Sequence, residues 1–152
     1  MAARKRQGAS LPFLFAALLY GAAALAQLPT LELKAGMYLI RAEVAADYAS
    51  RSRGLMHREA LAPNAGMLFV FDEPGAHCMW MKNTLIPLSV AFLDDGGGII
   101  NIADMTPHSE QAHCAARPAR YALEMNRGWF AARGIKPGMR LGGIPGGGAK
   151  AR

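Results

Sequence analysis

Apolar and polar positions alternate with a period of two along most of the chain beyond residue 30. In "TLELK", Leu31 and Leu33 alternate with Glu32 and Lys34, and Gly36 separates this run from "MYLIRAEVA". That is the pattern of two paired strands joined by a short turn. "ADYASRSRGLM" breaks the alternation. Asp47 suits a helix start, Arg51 and Arg53 suit its negative end, and Gly54 suits its stop. "GMLFVFDEPG" is apolar on both faces and predicts a central strand ending at the Glu73-Pro74-Gly75 turn.

The clearest hairpin is "LSVAFLDDGGGIINIADM". Leu88, Val90 and Phe92 alternate, and Asp95-Gly96 offers positive-φ turn residues before the return strand. "ARYALEMN" sets Tyr121, Leu123 and Met125 against Arg120, Ala122 and Glu124. "NRGWFAARGIKPG" predicts a short helix begun by Asn126 and halted by Gly134, and "GMRL" a last strand. The expected fold class is mainly β: a compact β-sandwich or distorted barrel with two short helices.

The amino terminus changes the picture of where this body works. Arg4, Lys5 and Arg6 precede an uncharged apolar run from Leu11 to Ala26, which ends in Ala24-Leu25-Ala26. This is the layout of a cleavable signal peptide over residues 1–26. The run is shorter than the roughly 20 residues of a stable spanning helix, so no membrane anchor is expected after cleavage. Residues 27–141 then form a single β-rich domain and 142–152 a flexible Gly-rich tail. The chain is expected to be periplasmic or secreted. Much of its formal charge of +6 belongs to the leader and the tail. With no basic helix, nucleic acid is not an expected partner.

Cys78 and Cys114 survive cleavage, and an even count in an oxidising compartment favours a bridge. Closing that loop would restrict the unfolded chain by roughly 4 kcal/mol in the entropy model. The alternative is a soft-metal site. His77-Cys78 and His113-Cys114 are matching pairs, with Met79, Met81 and Met105 in sequence reach, and thiolate, thioether and imidazole all accept Cu(I). No cofactor is expected on the first reading, and copper on the second.

The remaining chemistry centres on "HCMWMKNTLIPL". Read as a strand, it puts Cys78, Trp80 and Lys82 on one face and Met79, Met81 and Asn83 on the other. Trp80 with Arg58, Lys82, Asn83, Glu124 and Asn126 would make an aromatic plate ringed by hydrogen-bonding groups, suited to a glycan or peptide of the cell envelope. The plainer reading packs Trp80 in the core, leaves Asn83 and Asn126 to satisfy turns, and pairs Lys82 with Glu124 across strands. An enzyme, for instance a small hydrolase, would draw on Lys82, Glu124, His57 or His108. No nucleophile elbow, carboxylate pair or phosphate loop supports one.

These blocks, "RSRGLMHREAL", "GMLFVFDE", "MWMKNTLIPLSVAFLDDGGGIINI", "ARYALEMNRGWF" and "GIKPGMRL", resemble in order those of domain-of-unknown-function family 192, also called uncharacterised protein family 0127. The resemblance runs from Leu31 to Leu141. Gly54, Leu55, Met56 and Arg58 fall in one of its blocks, and Met81, Lys82, Asn83 and Thr84 in another. It implies a compact β-sandwich-like domain, often exported, and brings no activity, substrate or catalytic role with it. The leading expectation is a non-enzymatic binding or accessory protein of the envelope.

Overall fold

The computed structural model describes residues 27–146, so the proposed leader lies outside the described residues. Eight strands and two short helices follow in the order β1 (Thr30–Ala35), β2 (Tyr38–Ala45), α1 (Tyr48–Arg53), β3 (Ala65–Gly75), β4 (Cys78–Met79), β5 (Leu88–Leu93), β6 (Ile99–Met105), β7 (His113–Cys114), β8 (Ala119–Asn126) and α2 (Trp129–Ala132). The fold is mainly β. Its body is one mixed six-stranded sheet, ordered β1-β2-β3-β8-β5-β6, and β4 and β7 form a separate two-stranded ribbon. Only β2 and β3 run parallel; every other neighbouring pair is antiparallel.

The six-stranded sheet does not close into a barrel. The predicted last strand "GMRL" contributes only an isolated bridge, Arg140 with Gly98, and Gly142 just beyond it bridges Lys34. Lys34 and Gly142 exchange both backbone hydrogen bonds, at 3.0 and 2.8 Å. The carboxy-terminal segment thereby stitches the two edges of the open sheet. Packing continues to Ile144, which is buried. Residues 147–152 of the expected loose tail lie outside the described residues.

Alternation along the central strands divides the core into two. Leu68, Ala91, Leu93, Tyr121, Leu123 and Met125 pack on one face with Trp129, Phe130 and Leu141. Met67, Phe69, Val90, Phe92 and Ala122 pack on the other with Leu55, Met81 and Met105. A strand buried on both faces must be apolar throughout, which is why β5 shows no polar face beyond Ser89.

Local signals held in several places. Gly36 turns the β1–β2 hairpin at φ 60°. Asp47 caps α1 through a reciprocal box with Ser50, its carboxylate accepting from Ser50 N at 2.8 Å, and Gly54 ends the helix. Three expectations fail. In the β5–β6 hairpin positive φ falls on Gly97, while the Asp94 carboxylate accepts from Gly96 N and Gly98 N. β3 does end at Gly75, but Glu73-Pro74-Gly75 belong to the strand itself, beyond a register shift after Val70, and not to a turn. α2 is capped by Gly128 rather than Asn126, whose amide instead donates to Leu61 O at 2.9 Å and braces that loop.

Candidate functional site

Strand register places the central residue of the site. Glu124 sits opposite Met67 on β3 and Val90 on β5, and directly paired residues share a face. Its side chain therefore emerges on the Met67–Phe69 face, not on a solvated one, and is only 4% exposed. No hydrogen bond to its carboxyl is found among the described residues. Burial alone pushes its pKa from 4.5 to about 8. A carboxyl taken from water without partners prefers its neutral form, because the charged form loses most solvation.

Two segments close over this carboxyl and leave a small recess. The first is the end of α1 with its exit turn, Arg51 to Met56; the second supplies Met79, Trp80 and Thr84. Arg51 pins α1 to β3 by donating to Val70 O at 2.9 Å and to Asp72 Oδ2 at 3.0 Å. Gly54 makes the turn possible at φ 48° and ψ −133°, where a Cβ would also meet the Phe69 ring at 3.2 Å. Thr84 is buried, and its hydroxyl donates to Lys82 O at 3.2 Å. The recess holds about 30 Å³ and is lined by Glu124, Trp80, Met79, Phe69 and Arg53 among others.

Arg53, Gly54 and Met56 also line a larger groove of about 580 Å³, so recess and groove adjoin. Its other walls include Gln27, Thr30, Arg41, Glu43, Arg58 and Gly66. Arg58 grips Glu43 through both guanidinium nitrogens, at 3.0 and 2.5 Å. That hydrogen bond, opposed by partial burial and helped by the Glu43 charge, raises the Arg58 pKa. Arg41 and Arg53 make no ion pair among the described residues, so the groove carries unbalanced positive charge.

The structure thus places Trp80 and Glu124 in one recess and Arg58 in the groove beside it, and separates the rest of the expected plate. "HCMWMKNTLIPL" is strand only at Cys78–Met79 and again at Leu88, with none from Trp80 to Pro87, so its supposed faces do not exist. Met81 is fully buried, whereas Trp80 is 47% exposed. Lys82 does not pair with Glu124; it reaches Glu110 at 3.9 Å and lies 5.2 Å from the Trp80 ring centroid. Asn83 is a left-handed turn residue, and Asn126 is the loop brace already described. His57 and His108 line neither cavity. Sequence reading missed Arg41, Glu43 and Arg53 as site residues. Arg53 stood out only as a helix-end cation, and nothing in the sequence links Glu43 to Arg58.

Cys78 and Cys114 are joined, as opposed residues of the β4–β7 ribbon with Sγ atoms 1.98 Å apart. The bridge consumes both thiolates that the copper alternative needs. His77 stacks on Phe71 at 3.7 Å, with its Nε2 2.8 Å from Glu73 O. Met81 and Met105 are core residues. No group of three His, Cys, Asp or Glu side chains with metal-site geometry occurs among the described residues. The donor set His77, Cys78, His113 and Cys114 therefore does not fit a soft metal in the bridged protein.

Residues 31–143 match the model of a family described as "Uncharacterized ACR", domain of unknown function 192. Two solved structures are similar. A protein of Sinorhizobium meliloti 1021, named as a candidate transcription regulator, is 39% identical, with 74% of this chain and 90% of that one covered and a TM-score of 0.70. A protein of unknown function from Novosphingobium aromaticivorans DSM 12444 is 33% identical, with 78% and 88% covered and a TM-score of 0.74. No curated protein matches the chain. The extent of the family match, together with these relatives, makes the chain a member of domain-of-unknown-function family 192.

Proposed function

We propose that this chain is an exported, non-enzymatic domain of the cell envelope that binds an extended acidic peptide in the groove beside α1. The observation carrying this reading is the groove itself, about 580 Å³ and lined by Arg41, Arg53 and Arg58 with a single acid, Glu43, already held by Arg58. That volume lies within the roughly 300–1,000 Å³ usual for ligand sites. Guanidinium groups are the side chains best shaped to grip carboxylates. The apolar leader and the Cys78–Cys114 bridge support export.

Two features weigh against other classes. Glu124 is the only acid lining the recess, the Thr84 hydroxyl is engaged by Lys82 O, and no histidine lines it. A carboxyl with no second reactive group beside it is a poor basis for acid–base catalysis. A role in transcription, the one the Sinorhizobium relative is named for, would call for a nucleic-acid-reading element if exercised on DNA directly. The two described helices have six and four residues, short for a reading helix in a major groove.

Trp80 lines the recess that adjoins the groove, and its emission is the indole signal nearest the bound peptide, because the other tryptophan, Trp129, is buried on the opposite face of the sheet. Titration with a tetrapeptide bearing two glutamates should saturate that signal. A neutral oligosaccharide or a DNA duplex should not. Saturation by either of these, with the peptide inert, overturns the reading.

A further inference from the structure

Glu124 is more than nine-tenths buried, lacks a hydrogen-bond partner among the described residues and lines an adjoining recess. Such a group costs free energy in the folded protein unless something enters to meet it. The recess, about 30 Å³, is small beside the roughly 300–1,000 Å³ of ordinary ligand pockets and has room for a group on the scale of one or two waters, such as an ammonium head. One wall is Trp80, a ring that already takes a cation, Lys82 Nζ, at 5.2 Å. Met79 and Phe69 add apolar surface able to receive the methylene carbons behind an ammonium head.

We propose that the Trp80–Glu124 recess is a specificity pocket for a primary ammonium group, such as a lysine-like side chain carried by the peptide in the groove. The inference rests on the groove reading and adds to it a chemical requirement. The ligand carries carboxylates for Arg41 and Arg53, and an amine a few bonds from the carboxylate that Arg53 meets. Arg51 does not compete for Glu124, since its guanidinium is held by Ala46 O, Val70 O and Asp72. The Arg53 side chain makes no hydrogen bond among the described residues, and it lines both cavities, so it is available to the ligand.

The test compares two tetrapeptides of one sequence, each with two glutamates and one lysine, the lysine free in one and Nε-acetylated in the other. Acetylation removes the charge and enlarges the head. The expected result is about tenfold or more weaker binding of the acetylated peptide, or roughly 1.4 kcal/mol. Glu124→Gln should abolish that preference while both peptides still bind through the groove. Trp80→Ala, at a half-exposed position with little risk to folding, should reduce it as well, with binding read by calorimetry. Equal affinity of the two peptides for the native protein overturns the pocket and leaves the groove standing. No binding of either overturns both. A preference that survives Glu124→Gln assigns the amine to another part of the surface and overturns the pocket.

Discussion

His57 N donates to Asn83 O at 2.9 Å, and both residues hold left-handed backbone, φ 63° and 53°. A third non-glycine residue of this kind, His108 at φ 63°, donates its N–H to Thr84 O at 3.0 Å. These are all the positive-φ residues other than glycine among those described, and they meet at one loop, the one that sets Trp80 and Thr84 over Glu124. Asparagine tolerates this conformation better than most residues, and strain gathered at one place is a common mark of a functional constraint. Asn83→Ala should therefore lower stability by about 1 kcal/mol, whereas Asn83→Gly should be neutral or slightly stabilising. Denaturant unfolding of both variants checks this; equal losses would mean that the Asn83 side chain, not its backbone, matters.

Gly54 makes a sharper prediction, since it combines φ 48° with a ring in contact range. Gly54→Ala should cost roughly 2 kcal/mol, from backbone strain and from the push against Phe69. It should also weaken peptide binding more than it lowers stability would explain, because Gly54 lines both cavities. Calorimetric unfolding and a peptide titration below the melting range separate the two effects.

The buried acid sets a pH dependence. Glu124 titrates at about 8 when folded and near 4.5 in an exposed chain. Between those values the folded state holds the proton that the unfolded state has released. The group's contribution is therefore most favourable below pH 4.5 and is lost as pH rises through about 8. The charged groups lining its recess are Arg51 and Arg53 of α1; Trp80, Met79 and Thr84 on the covering loop and Phe69 on β3 carry no charge. Unfolding free energy should fall from pH 5 to pH 8 in the native protein, and Glu124→Gln should flatten that slope. An unchanged slope in the variant would assign the dependence elsewhere.

The bridge should be a large part of the stability. Cys78 and Cys114 are 36 residues apart, and releasing a loop of that size costs about 4 kcal/mol in the entropy model. Replacing both with alanine should lower the melting temperature markedly and leave the far-UV circular dichroism of the main sheet in place, since the β4–β7 ribbon is separate from it. An unchanged midpoint would mean that the thiols are not joined in solution.

Much of the fold was legible because its signals are local. Two-residue alternation in β1, β2, β5 and β8, the Asp47–Ser50 cap and the Gly36 turn need only near neighbours. What lay hidden depends on distant partners. The β2–β3 pairing is parallel and spans α1, and β8 enters between β3 and β5, so the sheet order is not written in any one segment. Glu124 shows the consequence for the site. Alternation put it correctly on the face of Ala122, but whether that face is solvated depends on α1 and the loop carrying Trp80, and these cover it. The bridge was legible from the even cysteine count and the leader-like amino terminus; the stacking of His77 on Phe71, which depends on how the chain turns back after β3, was not.

The most direct test is an amide and indole chemical-shift titration of the native protein with the dicarboxylate peptide bearing a free lysine. The account predicts saturable shifts at Arg53, Gly54 and Met56 and at the Trp80 indole, together with a fall in the Glu124 side-chain pKa from about 8 as the ammonium enters. Saturable shifts that leave those groups and the Glu124 carboxyl unmoved would contradict it.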